Sequence, residues 1–178
     1  MRRPLTGGTR GVMGWNGVVS VMTAEVQPFI STMAGALDSK GRVCIPAPFR
    51  DILTAQNTAG VYLCPSFSEP ALEGFGDAVL QRFHGRQAEK DPFFSPDFDD
   101  MAFAVLSMTQ LLPRDENGRV RLPEDLIAHA GLKDRVTFIG MGQKFQIWEP
   151  ERFVAMRDAR LKRALAVRDA HKAMGGGE

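Results

Sequence analysis

One pattern occurs twice in this chain, as LDSKGRVCIP at residues 37–46 and as PRDENGRVRLP at residues 113–123. A shift of 77 positions superposes Asp38 on Asp115, Gly41 on Gly118, Arg42 on Arg119, Val43 on Val120, Ile45 on Leu122 and Pro46 on Pro123. The likeness continues with small gaps: VYLC at 61–64 meets VTFI at 136–139, and LEGF at 72–75 meets FQIW at 145–148. A unit of about 45 residues is therefore duplicated. A unit of that size buries too little apolar surface to stand alone, so two copies that share strands in one barrel are the expected arrangement.

Each copy reads locally as strand, turn, strand, short helix, strand, strand. Asp at the head of D-x-x-G accepts backbone N–H groups in a tight turn, and Gly41 or Gly118 supplies the left-handed residue that closes it. Alternation beyond the turn sends Val43 and Ile45 inward and Arg42 and Cys44 outward; in the second copy Val120 and Leu122 go in, and Arg119 and Arg121 go out. Pro46 and Pro123 stand where a helix begins, and Gly131 is placed to stop the second one.

The rest of the chain divides by composition. Residues 1–31 are Gly-rich and aperiodic, and read as a flexible extension before units at 32–79 and 109–152. A helical connector at 80–108 lies between them, with helical runs expected at 77–90 and 97–112, the second behind the acidic cap of Asp97, Asp99 and Asp100. From Pro150, apolar residues at Phe153, Met156, Leu161, Leu165 and Val167 recur among Arg and Lys, so 153–178 reads as an amphipathic helix with a Gly tail. The expected class is α+β: two tandem units in one pseudo-twofold barrel, with connector helices and a C-terminal helix.

Charge is segregated although the formal net charge is only +1. Residues 150–173 carry seven Lys or Arg against three acids, whereas residues 68–100 carry eight acids against three bases. Such a balance excludes a polycation but leaves room for a local basic face that binds nucleic acid. Cys44 and Cys64 have no CxxC or nearby His and read as buried structural residues. His84, His129 and His171 share no ligand or triad spacing, so neither a metal, a cofactor nor an enzyme is indicated. With no long apolar run, no membrane association is expected and the chain reads as cytoplasmic. The Asp38/Arg42 and Asp115/Arg119 spacings also suit ion pairs that pin the hairpins, and Phe145 with Trp148 suits core or subunit packing.

LDSKGRVCIPAPFR, DENGRVRLP and FQIWEPERF together resemble the MraZ family of bacterial transcriptional regulators over roughly Ser31 to Arg160. The resemblance implies tandem SpoVT/AbrB-type domains with swapped hairpins, assembly into ring-shaped homo-oligomers, and a nucleoid-associated repressor that binds double-stranded DNA. Its implied targets are short direct repeats in the promoter of its own operon, the division and cell-wall gene cluster. It implies no small-molecule ligand. Arg42 is the implied essential contact, with Lys40 and Arg50 beside it in copy one and Arg119 and Arg121 in copy two. Asp38, Gly41, Asp115 and Gly118 hold the turns. An Arg fork suits the O6 and N7 edge of guanine, so G-rich boxes are expected. Met13-Gly14 and Trp15-Asn16-Gly17 permit TGGG motifs about ten nucleotides apart in the coding strand. Residues 1–21 thus read as promoter DNA translated, with initiation expected at Met22 or Met33. The runner-up function is an antitoxin-like protein of the same fold that binds a partner through its helical tail.

Overall fold

The computed structural model describes residues 27–88 and 96–175. In chain order the first unit is β1 (Thr32–Ala36), β2 (Arg42–Cys44), α1 (Ala47–Ala55), β3 (Gly60–Pro65) and β4 (Ala71–Phe75). Two helices follow, α2 (Asp77–Ala88) and α3 (Pro96–Met108). The second unit repeats the first as β5 (Gln110–Pro113), β6 (Arg119–Arg121), α4 (Glu124–Ala130), β7 (Arg135–Gly140) and β8 (Phe145–Trp148), and α5 (Pro150–Gly175) follows.

Strands are exchanged between the copies. β1 of the first unit pairs with β7 of the second, placing Gly35 opposite Val136; β5 pairs with β3, placing Leu112 opposite Val61. These pairings interconvert under the sequence repeat, so the two halves are related by an approximate twofold. β4 and β8 meet at the centre, with Leu72 opposite Ile147, completing an antiparallel sheet in the order β1-β7-β8-β4-β3-β5. β2 and β6 form a separate two-stranded ribbon, with Val43 opposite Val120.

The expected closed barrel is not formed. Among the described residues β1 and β5 are the free edges of the six-stranded sheet, and single bridges, Leu37 to Val43 and Arg114 to Val120, tie each edge strand to the ribbon. The turns take up residues 38–41 and 115–118, leaving three residues each for β2 and β6. Strands that short make their ladder with each other and have little left for a second partner.

Between sheet and ribbon lies an aromatic core. The rings of Phe29 and Phe49 are 5.2 Å apart, and Phe145 lies 5.2 Å from Phe29 and 5.1 Å from Phe49. All three are fully buried. Removing one such ring costs about 3–5 kcal/mol. Phe29 also corrects the reading of an unstructured start up to residue 31: its N–H donates to the Gly142 carbonyl at 2.6 Å and its carbonyl accepts from the Gly142 N–H at 2.9 Å. The expectation about promoter-derived residues 1–21 lies outside the described residues.

Pro46 and Pro123, at φ −54° and −60°, precede α1 and α4 as expected, and Gly131 ends α4 in the left-handed region at φ 62°. The expected helix over 97–112 stops at Met108, because Gln110–Pro113 is the strand β5 that β3 requires. α5 is anchored through its first turns. Phe153 is buried with Ala71 and Trp148, Arg152 donates to the Ala130 carbonyl at the end of α4, and Arg160 pairs with Glu69. Beyond that, Leu161, Leu165 and Val167 are exposed.

Candidate nucleic-acid interface

The two turns have the same construction. Asp38 Oδ1 accepts the N–H groups of Lys40 and Arg42, both at 2.9 Å, and Asp115 Oδ1 accepts those of Asn117 and Arg119 at 2.9 and 2.8 Å. The carbonyl of each Asp accepts the N–H of its glycine at 2.9 Å. Gly41 and Gly118 sit at φ 71° and 74°, where a side chain is strained. Each turn is also stitched to the other copy: Ile45 N–H donates to the Gly118 carbonyl at 3.1 Å, and Leu122 N–H to the Gly41 carbonyl at 2.8 Å. The turns and the ribbon therefore form one interlocked structure.

On the inner side of the ribbon Val43 and Val120 are fully buried; on the outer side Cys44, Arg119 and Arg121 are exposed and Arg42 is half-buried. Register puts Arg42 opposite Arg121 and Cys44 opposite Arg119. Directly opposed like charges destabilise a strand pair unless an anion neutralises them. Lys40 is exposed at the tip of the first turn; Asn117 takes that place in the second. Cys44 is exposed, as the alternation along β2 has it and against its reading as a buried structural residue, because it faces outward on a strand whose inward face Val43 already fills. Cys64 is buried, and desolvation, with the Glu73 charge behind it, pushes its thiol up to about 11, so it stays protonated and unreactive.

Arg42 and Arg119, which correspond in the repeat, are held differently. Arg42 Nε donates to Asp38 Oδ2 at 2.8 Å, which leaves both terminal nitrogens without a partner among the described residues. The Arg42 N–H first, and the Arg42 guanidinium with it, hold the Asp38 carboxyl below its ordinary value. Arg119 makes no such pair with Asp115; the ion pair expected from the repeat exists in one copy only. Arg50, expected beside Arg42, instead reaches across from α1 to the second turn, where Nη1 donates to the Asn117 carbonyl at 3.0 Å. Arg114 was not singled out in the sequence. It donates to the carbonyls of Arg50 and Thr58 and to the Thr54 hydroxyl, and burial, followed by the nearby Arg50 charge, pulls its pKa down. A guanidinium remains charged despite such a shift.

The remaining chemistry-bearing residues do not converge. His129 Nε2 lies 3.2 Å from the Ser66 carbonyl, and Trp148 is buried with its Nε1 donating to Gln146, which makes it a core residue. Among the described residues no group of His, Cys, Asp or Glu is placed to hold a metal ion, and no helix is long and apolar enough to cross a membrane.

A family model described as "MraZ protein, putative antitoxin-like" matches residues 106–169. A protein of Azorhizobium caulinodans named Transcriptional regulator MraZ is 41% identical over 84% of this chain and 92% of its own length. The chain belongs to the MraZ family. Proteins of the same name from Xanthobacter autotrophicus and Methylocella silvestris are each 40% identical over 80% of the chain and 90% of their own length. The segment matched by the MraZ model contains the second turn, β6 and the anchored part of α5. The similarity to MraZ relatives spans both repeats.

Proposed function

We propose that this chain is a sequence-specific DNA-binding transcriptional regulator that reads short G-rich direct repeats with its β2–β6 ribbon. One observation carries the reading: Lys40, Arg42, Arg119 and Arg121 crowd the exposed tip and outer face of a twofold ribbon, where the opposed arginines Arg42 and Arg121 make one ion pair among the described residues, that of Arg42 with Asp38. A two-stranded ribbon fits the major groove, and an arginine fork on guanine O6 and N7 discriminates by about 1–3 kcal/mol. Relatives named transcriptional regulators support it. The exchanged strands support reading the two units as tandem SpoVT/AbrB-type domains, now around an open sheet.

On this reading the protein represses its own operon within the division and cell-wall gene cluster and lies on the nucleoid. A homo-oligomeric ring multiplies weak contacts by presenting several ribbons to repeated boxes. The test is binding to a duplex carrying TGGG repeats and to a scrambled duplex, across a salt series. A log–log salt slope of about −0.9 per neutralised phosphate, together with preference for the repeats, supports the reading. Equal binding to both duplexes, or none, refutes it.

A second reading, an antitoxin-like protein that binds another protein through its tail, is favoured by one feature. Val154, Leu161 and Leu165 are exposed on α5 at spacings of seven and four, one stripe of the helix.

A further inference from the structure

We propose that Arg50 is the positioning residue of the second turn, holding Arg119 in place from the other copy, and is not itself a contact to DNA; this rests on the reading of the ribbon given above. Three observations converge. The Arg50 guanidinium donates to the Asn117 carbonyl at 3.0 Å and covers Gly118, where an added Cβ would collide with it. The Arg50 carbonyl accepts from Arg114 Nη1 at 3.2 Å, which fastens α1 to the residue between β5 and the second turn, and the Thr54 hydroxyl one turn on in α1 donates to the same carbonyl at 2.8 Å. Asp51, Asp115 and Glu116 line the same cleft, balancing the Arg50 charge locally and making it a poor seat for a phosphate.

The approximate twofold supplies an internal control. The repeat shift sends Gly118 to Gly41, Arg50 to Ile127 and Arg114 to Leu37. Ile127 and Leu37 pack against the core, and a Cβ on Gly41 would stand 3.4 Å from Ile127 Cδ1, an ordinary contact. The first turn thus has an apolar support, and its arginine is aligned by Asp38. The second turn lacks that ion pair, and Arg50 does the aligning from outside. Reading by the second copy therefore depends on helix α1 of the first.

The experiment is a double-mutant cycle in the full chain, read as affinity for the TGGG-repeat duplex and as the salt slope. Arg50→Gln is expected to weaken binding by about fivefold to tenfold while leaving the salt slope unchanged. In an Arg119→Ala background the same substitution is expected to cost nothing further, whereas in an Arg42→Ala background its cost remains. If Arg50 instead touches a phosphate, its loss adds fully to that of Arg119→Ala and lowers the slope by about 0.9, which overturns the proposal, as does full affinity in Arg50→Gln. If the wild type binds no duplex, the ribbon reading fails, and amide exchange decides the brace alone. Faster exchange over residues 115–119 in Arg50→Gln, with residues 38–42 unchanged, supports it; equal exchange overturns it.

Discussion

On the proposed function, Arg42→Ala separates reading from folding, because the two tasks fall to different atoms. The turn is held by Asp38 Oδ1 on two backbone N–H groups, and the substitution leaves both. What disappears is the Nε to Oδ2 pair, between side chains 33% and 38% exposed, a pair that water and salt screen to little net worth. The melting temperature is therefore expected within about 2 °C of wild type. DNA binding should respond far more. With Nε held by Asp38, Nη1 and Nη2 remain as a pre-aimed fork, so the loss should fall in the upper part of the range for a bidentate guanine contact, about 2–3 kcal/mol, or roughly 30-fold to 150-fold. Arg119, whose turn is braced by Arg50 but whose guanidinium has no ion pair like that of Arg42 with Asp38, pays more rotamer entropy on binding, and Arg119→Ala should lose only about 5-fold to 30-fold. Fluorescence anisotropy on repeat and scrambled duplexes measures both. Arg42→Lys keeps the charge and loses the fork, so its salt slope should match wild type while its preference for the repeats falls. Equal losses for the two alanine variants, or undiminished preference in Arg42→Lys, would refute the reasoning.

Three further outcomes are expected. The folded Asp38 carboxyl titrates below its unfolded value, so its contribution to stability is complete above about pH 4 and drains away as pH falls through the lowered folded value. The gap in urea midpoint between wild type and Asp38→Asn should accordingly narrow on acidification; a widening gap would contradict the sign. Phe29→Ala should cost about 3–5 kcal/mol by denaturant melts, and a chain starting at Met33 should melt below one starting at Met22, since only the latter keeps Phe29. Leu165→Glu, on an exposed position of α5, should change stability by less than about 0.5 kcal/mol and leave duplex binding intact, whereas the antitoxin-like reading expects it to abolish partner capture.

Much of the ribbon was legible beforehand because its causes are local. A D-x-x-G turn, an alternating R-V-x-[IL] strand and a proline each constrain their own few residues, so Asp38, Gly41, Arg42 and their repeats could be placed from the chain order alone. Arg50 was legible as a basic residue near the turn, but not as one that serves the opposite copy. Gln110 to Leu112 continue the helical pattern of α3, and pairing with β3 outweighs that local preference. Phe29 sat in a stretch without periodicity, where no pattern could show that a cavity awaited it.

The division follows from range. Duplication, turn chemistry and the inward or outward sense of each ribbon residue are carried by neighbours in sequence, and the 77-residue shift displays them directly. Which copy's strand lies beside which, whether the sheet closes, and why one turn rests on isoleucine and the other on arginine depend on groups 56 or more positions apart, as Arg50 with Asn117 and Arg114 with Thr58 or Thr54 illustrate. Two nearly identical turns acquire different supports because burial and hydrogen bonding are settled by whatever the folded chain brings alongside, and the repeat is imperfect at those supporting positions.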